Sequence, residues 1–216
     1  MEKDCFRSRI RFQCPLCARL ARRMANFAFR KGIFIIQSEN FKTCIAAETS
    51  ELLLENCSQV SKYMLWKWGS KQQLFNIGAS SCLGLNFSNP EPSLVMAQCD
   101  SPQHLLQWQC HGKALIGVSQ YKLAVEKSKF IVVKIFSNYG WKQFGSHDDL
   151  CEQAFEEMYT LLGNSLGLPC VFPFKYNNKW HYECVRDFRE DGYRWCATTN
   201  HYEQDEKWGL CPNSGM

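Results

Sequence analysis

The chain has 216 residues, 13 cysteines and a formal net charge of +4. Cysteines at that density are ordinary in an oxidising, extracellular setting and rare in a cytosolic chain. The charge is unevenly spread: nine basic residues against two acidic ones put +7 on residues 1–31, and sixteen against nineteen leave −3 on the rest. The folded part therefore has no sustained basic face, which excludes nucleic acid as a partner. No stretch approaches the roughly 18 apolar residues of a membrane span.

Residues 1–31 hold Cys5, Cys14 and Cys17 among arginines. Cys14-Pro-Leu-Cys17 has zinc-knuckle spacing, but Cys5 is the only nearby third ligand and no histidine follows within reach, so no metal site is expected. An arginine-rich, acid-poor start also suits a transit peptide, and the apolar run of roughly 7 to 15 residues that a signal peptide needs is missing. The segment is read as a disordered or atypical start standing where a signal peptide belongs. The pairing of its three cysteines stays open.

From Gly32 to about Met158 the signal is internal repetition. Lys42-Thr-Cys44-Ile-Ala-Ala returns as Ser80-Ser-Cys82-Leu-Gly-Leu and as Gln120-Tyr121-Lys-Leu-Ala-Val, at spacings of 38 and 39. Leu52-Leu-Leu-Glu-Asn-Cys57 returns as Leu94-Val-Met-Ala-Gln-Cys99 and, more weakly, as Ile131-Val-Val-Lys-Ile-Phe136. Leu65-Trp-Lys-Trp68 returns as Leu106-Gln-Trp108. Short apolar runs broken by Gly, Asn and Ser predict short strands and turns, and three such units suit a closed, three-lobed β-trefoil better than a propeller or solenoid. The repeat itself predicts disulfides Cys44–Cys57 and Cys82–Cys99. The third unit carries Tyr121 and Phe136 in the cysteine places, which leaves Cys110 and Cys151 as a closing pair. Trp66, Trp68 and Trp108 recur with the repeat, as core positions do. Asn56-Cys-Ser and Asn86-Phe-Ser are glycosylation sequons.

Cys170 to Cys211 is a second unit, with four cysteines in a segment too short to fold on apolar burial alone. Spacing permits any of three pairings. Phe172, Phe174, Tyr176, Trp180, Tyr182, Tyr193, Trp195, Tyr202 and Trp208 are too many aromatics to bury in so small a module. Some are expected to line a surface pocket beside Arg186 and Arg194, where a polyproline II chain binds at little entropic cost.

The order Cys170-x-x-Pro-Phe-x-Tyr176, with Cys184, Trp195-Cys196-Ala-Thr-Thr, Tyr202 and Trp208-Gly-Leu-Cys211, resembles the fibronectin type II module; the run Arg189-Glu-Asp-Gly192 fits too. Leu210 departs mildly, since an aromatic is usual there. The resemblance implies pairing of Cys170 with Cys196 and of Cys184 with Cys211 around two small antiparallel sheets. It also implies a collagen or gelatin ligand, held by Phe174, Tyr176, Trp180, Arg194, Trp195, Tyr202 and Trp208.

The Trp68 and Trp108 repeats resemble the Gln-x-Trp signature of ricin-B-type trefoils, with Trp66 and Leu106 in the glutamine place. A ricin-type trefoil followed directly by one type II module is similar to the N-terminus of the mannose receptor family. Leu65-Trp-Lys-Trp68, Leu74-Phe-Asn-Ile-Gly78, Cys82 to Ser88, Gly163 to Cys170 and Asp205 to Gly209 most resemble its phospholipase-receptor branch. There the parent receptor takes secretory phospholipase A2 as its ligand, through lectin-like domains absent after Met216, and carries it into the cell. A lectin's sulfated-sugar site in the third lobe would map to Trp141, Lys142 and His147, against the repulsion of Asp148 and Asp149.

Catalytic motifs are missing: there is no Gly-x-Ser-x-Gly elbow, phosphate-binding loop or His-Glu-x-x-His zinc helix. The histidines, His104, His111, His147, His181 and His201, are scattered. The expectation is an all-β chain: an atypical segment 1–31, a ricin-B-type trefoil over 32–158 and a disulfide-stapled type II module over 159–214. It is expected to need no cofactor, to catalyse nothing and to act extracellularly, at the cell surface in the parent receptor or secreted if the chain ends at Met216. Collagen adhesion is the expected function. Sulfated-sugar binding and a structural docking role are the alternatives.

Overall fold

The computed structural model describes residues 32–48, 52–101, 105–117, 120–146, 150–152, 155–187 and 189–212. The segment 1–31, with Cys5, Cys14 and Cys17, lies outside the described residues, as do His104 and His147 to Asp149. Twelve short strands fall into three groups of four. The first is β1 (Ile33–Ser38), β2 (Cys44–Ala46), β3 (Leu53–Glu55) and β4 (Leu65–Trp68). The second is β5 (Leu74–Asn76), β6 (Ser81–Asn86), β7 (Ser93–Ala97) and β8 (Gln109–His111). The third is β9 (Ala114–Ile116), β10 (Lys122–Glu126), β11 (Phe130–Lys134) and β12 (Trp141–Gln143).

In each group the two middle strands form a hairpin, while the outer strands pair around a ring. β1 pairs with β4 and with β12, β4 with β5, and β8 with β9. The ring closes through a Gln73–Gln107 bridge and through the Trp141 amide, which donates to the Lys113 carbonyl at 2.9 Å. This is a β-trefoil.

The period of two along each strand divides the apolar residues between two layers. Phe34 and Ile36 of β1 enter the central core with Ile45, Leu54, Leu83, Leu85, Leu115 and Leu123. Ile35, on the other face, packs on Cys44, Cys57 and Met64. β1 is therefore buried on both faces, which explains its unbroken apolar run.

Three tryptophans repeat one contact. The indole N–H of Trp66 donates to the Ile45 carbonyl at 3.3 Å, that of Trp108 to Leu83 at 2.8 Å and that of Trp141 to Leu123 at 3.3 Å. Each ties the last strand of a lobe, or for Trp108 the residue just before it, to that lobe's hairpin, and none of these rings is more than 1% exposed. A buried indole needs such an acceptor. Trp66, rather than Trp68, is thus the counterpart of Trp108; Trp68 donates instead to the Leu150 carbonyl at 2.7 Å.

The same bonds set the register of the repeat. Ile45 and Leu83 follow Cys44 and Cys82, so Leu123 places Lys122, not Tyr121, in the third lobe's cysteine position. Strand pairing agrees: Cys44 faces Glu55, Cys82 faces Ala97 and Lys122 faces Lys134, two residues before Cys57, Cys99 and Phe136 respectively. Cys44 is bonded to Cys57 and Cys82 to Cys99, each pair with Cα atoms 5.1 Å apart. Cys110 is bonded to Cys151 across a separation of 41 residues.

The second unit is built on β13 (Phe174–Tyr176) with β14 (Lys179–His181), and β15 (Trp195–Ala197) with β16 (Trp208–Leu210). A helical turn, α1 (Tyr202–Asp205), precedes β16. Asn177 and Asn178 turn the first hairpin with φ of 51° and 57°, the left-handed pair that a two-residue loop requires and asparagine tolerates. Cys170 is bonded to Cys196 and Cys184 to Cys211. Their sulfurs staple a small core of Phe172, Phe174, Trp195 and Leu210.

The two units are in contact. Ser70 and Phe172 exchange hydrogen bonds: the Ser70 amide donates to the Phe172 carbonyl at 2.6 Å, and the Phe172 amide donates to Ser70 Oγ at 2.9 Å. Gly69 is required beside them, because a Cβ there would sit 2.5 Å from the Phe172 oxygen. Tyr182 packs on Phe75 with ring centroids 5.8 Å apart, and Lys67 Nζ lies 5.6 Å from the Tyr182 ring centre.

Candidate ligand-binding site

The aromatic residues of the second unit form a graded cluster. Phe174 and Trp195 are buried, at 0% and 4% exposure, and make its floor. Tyr176, Tyr202 and Trp208 are half-buried and stand around it. Tyr176 meets Trp195 edge-on at 5.1 Å and Tyr202 at 5.4 Å, with interplanar angles of 78°. Tyr202 lies 4.8 Å from Trp195, and Trp208 lies 6.5 Å from it at 79°. Edge-to-face packing lets the rings support one another while presenting partly open apolar surface.

Local sequence explains the placement. β13 sends Phe174 and Tyr176 to one face by its period of two, with Lys175 between them on the other. The Trp195 indole N–H donates to the Asp187 carbonyl at 3.0 Å, which orients its ring. α1 delivers Tyr202, and the His181 ring stacks on Phe174 at 5.4 Å and lies tilted against Tyr176 at 5.9 Å.

Arg189 adds a cation. Its guanidinium carbon lies 5.4 Å from the Trp208 ring centre, and Asp191 accepts hydrogen bonds from both its Nε and Nη2. Those bonds hold the Asp191 carboxyl below the usual carboxylate range and raise the Arg189 pKa further. Burial, followed by the charges of Tyr202, Asp187 and Glu203, pushes the Tyr176 phenol up; burial and then Glu206 do the same to Tyr202. Both phenols are therefore neutral donors at ordinary pH. The stacking role of Arg189 has no signature in the sequence beyond the run Arg189-Glu-Asp-Gly192; only the fold brings it to Trp208.

Three site expectations change. Trp180 does not join the cluster: its indole N–H donates to Gln98 Oε1 of the trefoil at 2.9 Å. β14 turns it there because it neighbours His181 on a strand and so faces the opposite way. Arg194 makes no ring contact with the cluster; it is half-buried and lines a neighbouring depression with Arg186. Trp141 cannot stack a sugar, because it is 1% exposed and is the third member of the core triad. Lys142 follows it on β12 and so points to the other face, while His147 lies outside the described residues. Trp141 is therefore a core residue and not the stacking platform of a sulfated-sugar site.

The sulfurs of Cys170, Cys184 and Cys211 lie within 4.8 Å of one another, but all three are disulfide sulfurs and offer no thiolate to a metal. Asn56 is exposed and Asn86 half-buried, each with its side-chain oxygen accepting from the amide of the sequon serine, at 2.9 and 2.8 Å.

Comparison with known proteins agrees with this architecture. Residues 30–152 match the family of the MRC2-like, N-terminal cysteine-rich domain, and residues 170–211 match the fibronectin type II domain. The chain belongs to the mannose receptor family. It is 50% identical over 184 residues to the secretory phospholipase A2 receptor of Homo sapiens, covering 85% of this chain and 13% of that protein. It is 37% identical over 188 residues to the C-type mannose receptor 2 of Rattus norvegicus, covering 83% of this chain and 13% of that protein. The β-trefoil lectin of the Vibrio vulnificus hemolysin/cytolysin is 17% identical, with a TM-score of 0.45, and covers 52% of this chain and 93% of that one. The chain thus spans about an eighth of the length of the mannose-receptor-family relatives it matches.

Proposed function

We propose that this chain is a non-catalytic, extracellular binding portion of an endocytic receptor similar to the secretory phospholipase A2 receptors, and that its type II module holds a proline-rich chain such as collagen or gelatin. The observation that carries the reading is the half-open ring of Tyr176, Tyr202 and Trp208 above a buried Trp195. Proline rings lie flat on aromatic faces, and a polyproline II segment is already extended, so little conformational entropy is lost on binding. The two phenols, kept neutral, donate to its free backbone carbonyls.

The test is retention of the whole chain on immobilised gelatin, beside Tyr202→Ala and Trp208→Ala. Both residues are half-buried, so their removal spares the floor that Trp195 provides. Wild type is retained and the folded variants elute early. Equal retention of all three ends the reading. Secretory phospholipase A2 itself is a ligand for other parts of such a receptor, so this chain alone does not retain it.

A further inference from the structure

A second charged feature adjoins the aromatic face. Val185 and Trp195 bridge their backbones with N–H···O bonds of 2.9 Å in both directions. Arg186 and Arg194 each stand one residue beyond that bridge, where antiparallel register brings neighbouring side chains together. Both line an open depression of about 400 Å³, whose other titratable groups are His181, Tyr182, Glu183 and Asp187. Among the described residues neither arginine has an ion-pair partner. Asp187 instead acts on the Tyr176 phenol.

Glu183 and Asp187 line the same depression without pairing either arginine, and a planar guanidinium fork matches a carboxylate with two parallel hydrogen bonds. The depression shares walls with the aromatic cluster: His181 stacks on Phe174 and lies tilted against Tyr176, and the Asp187 carbonyl holds the Trp195 indole. His181 is thus common to the aromatic cluster and to the depression that the two arginines line.

We propose that Arg186 and Arg194 bind the carboxylate of a Glu or Asp side chain within the bound proline-rich chain, so that the module selects acidic stretches of its ligand. This rests on the aromatic-face reading above. The arginines are specificity-determining residues, and the rings supply the affinity common to all ligands.

The test uses the whole chain and single-chain peptides of Gly-Pro-Pro triplets in which one interior proline is replaced by Glu, Gln or Lys. The Glu peptide binds about tenfold tighter than the Gln peptide, a gap of ~1.4 kcal/mol, and the Lys peptide binds more weakly than either. The Glu advantage shrinks as salt is raised. Arg186→Gln with Arg194→Gln removes that advantage and leaves the Gln peptide's affinity unchanged. If Gln and Glu peptides bind alike, or the double variant keeps the preference, the arginine assignment is wrong while the aromatic reading stands. If no peptide binds, both fall. If a sulfated glycan binds through the two arginines and the Glu peptide gains nothing, the depression is a sulfate site and the proposal is overturned.

Discussion

Ser70 and Phe172 exchange hydrogen bonds across the two units, with the serine hydroxyl accepting the Phe172 amide at 2.9 Å and the Ser70 amide reaching the Phe172 carbonyl at 2.6 Å. Ser70 is only 8% exposed, so losing its hydroxyl leaves a buried donor unsatisfied. Ser70→Ala is expected to cost about 1–3 kcal/mol in urea unfolding. Gly69→Ala, which drives a Cβ into the Phe172 oxygen, costs about 1–3 kcal/mol by overpacking. Unchanged midpoints for both variants would mean that the trefoil and the module are not joined in this way.

The third lobe offers a sharper check of register. Lys122 and Phe136 stand where the other lobes carry disulfide cysteines, so Lys122→Cys with Phe136→Cys should form a bond and add about 3 kcal/mol of stability. The neighbouring choice, Tyr121→Cys with Phe136→Cys, should not, because one step along a strand turns the side chain to the opposite face. Non-reducing peptide mapping reads both. A bond from Tyr121→Cys and none from Lys122→Cys would restore the register that the bare repeat suggests.

Trp141→Ala removes a buried indole and is expected to destabilise the trefoil by about 3–5 kcal/mol. Sulfated-sugar binding on a glycan array is expected to be absent in wild type. Binding in wild type that a folded Trp141→Phe variant loses would reopen the lectin reading.

Acid should act through Asp191. Its folded pKa lies below the ordinary carboxylate value because Arg189 donates to it, so its stabilising contribution is present above that ordinary value. It is lost as pH falls through the depressed folded value. Tryptophan fluorescence should report the release of Arg189 from Trp208 in that window, and Asp191→Asn should abolish the transition. A transition of the same midpoint in the variant would assign it to another group.

Much of the architecture could be read before folding because cysteines and tryptophans recur at fixed places. Cys44 with Cys57 and Cys82 with Cys99 follow from superposing two units, and Cys110 with Cys151 is what the repeat leaves over. The order of the four module cysteines carries Cys170 with Cys196 and Cys184 with Cys211 by resemblance. The third unit was harder. It lacks both cysteines, so its alignment slipped by one residue, and only strand pairing shows that Lys122 holds the position. Trp141 maps to a sugar site by resemblance alone, and only its burial and its bond to Leu123 group it with the repeated core tryptophans. The resemblance groups Trp180 and Arg194 with the aromatic face, whereas strand alternation and the bond to Gln98 take Trp180 out of it and Arg194 lines the depression with Arg186. Composition showed that some rings must stay open. Which ones depends on packing that is distant in sequence.

The most direct measurement is the affinity of the whole chain for immobilised gelatin beside that of Trp208→Ala, with unfolding midpoints showing that the variant is intact. Saturable binding by wild type, lost or weakened at least tenfold in the folded variant, is the result expected from an open aromatic face worth about 1–3 kcal/mol per exposed ring. Wild type that does not bind, or a variant that binds equally well, would contradict it and leave the cluster as a core for two disulfides.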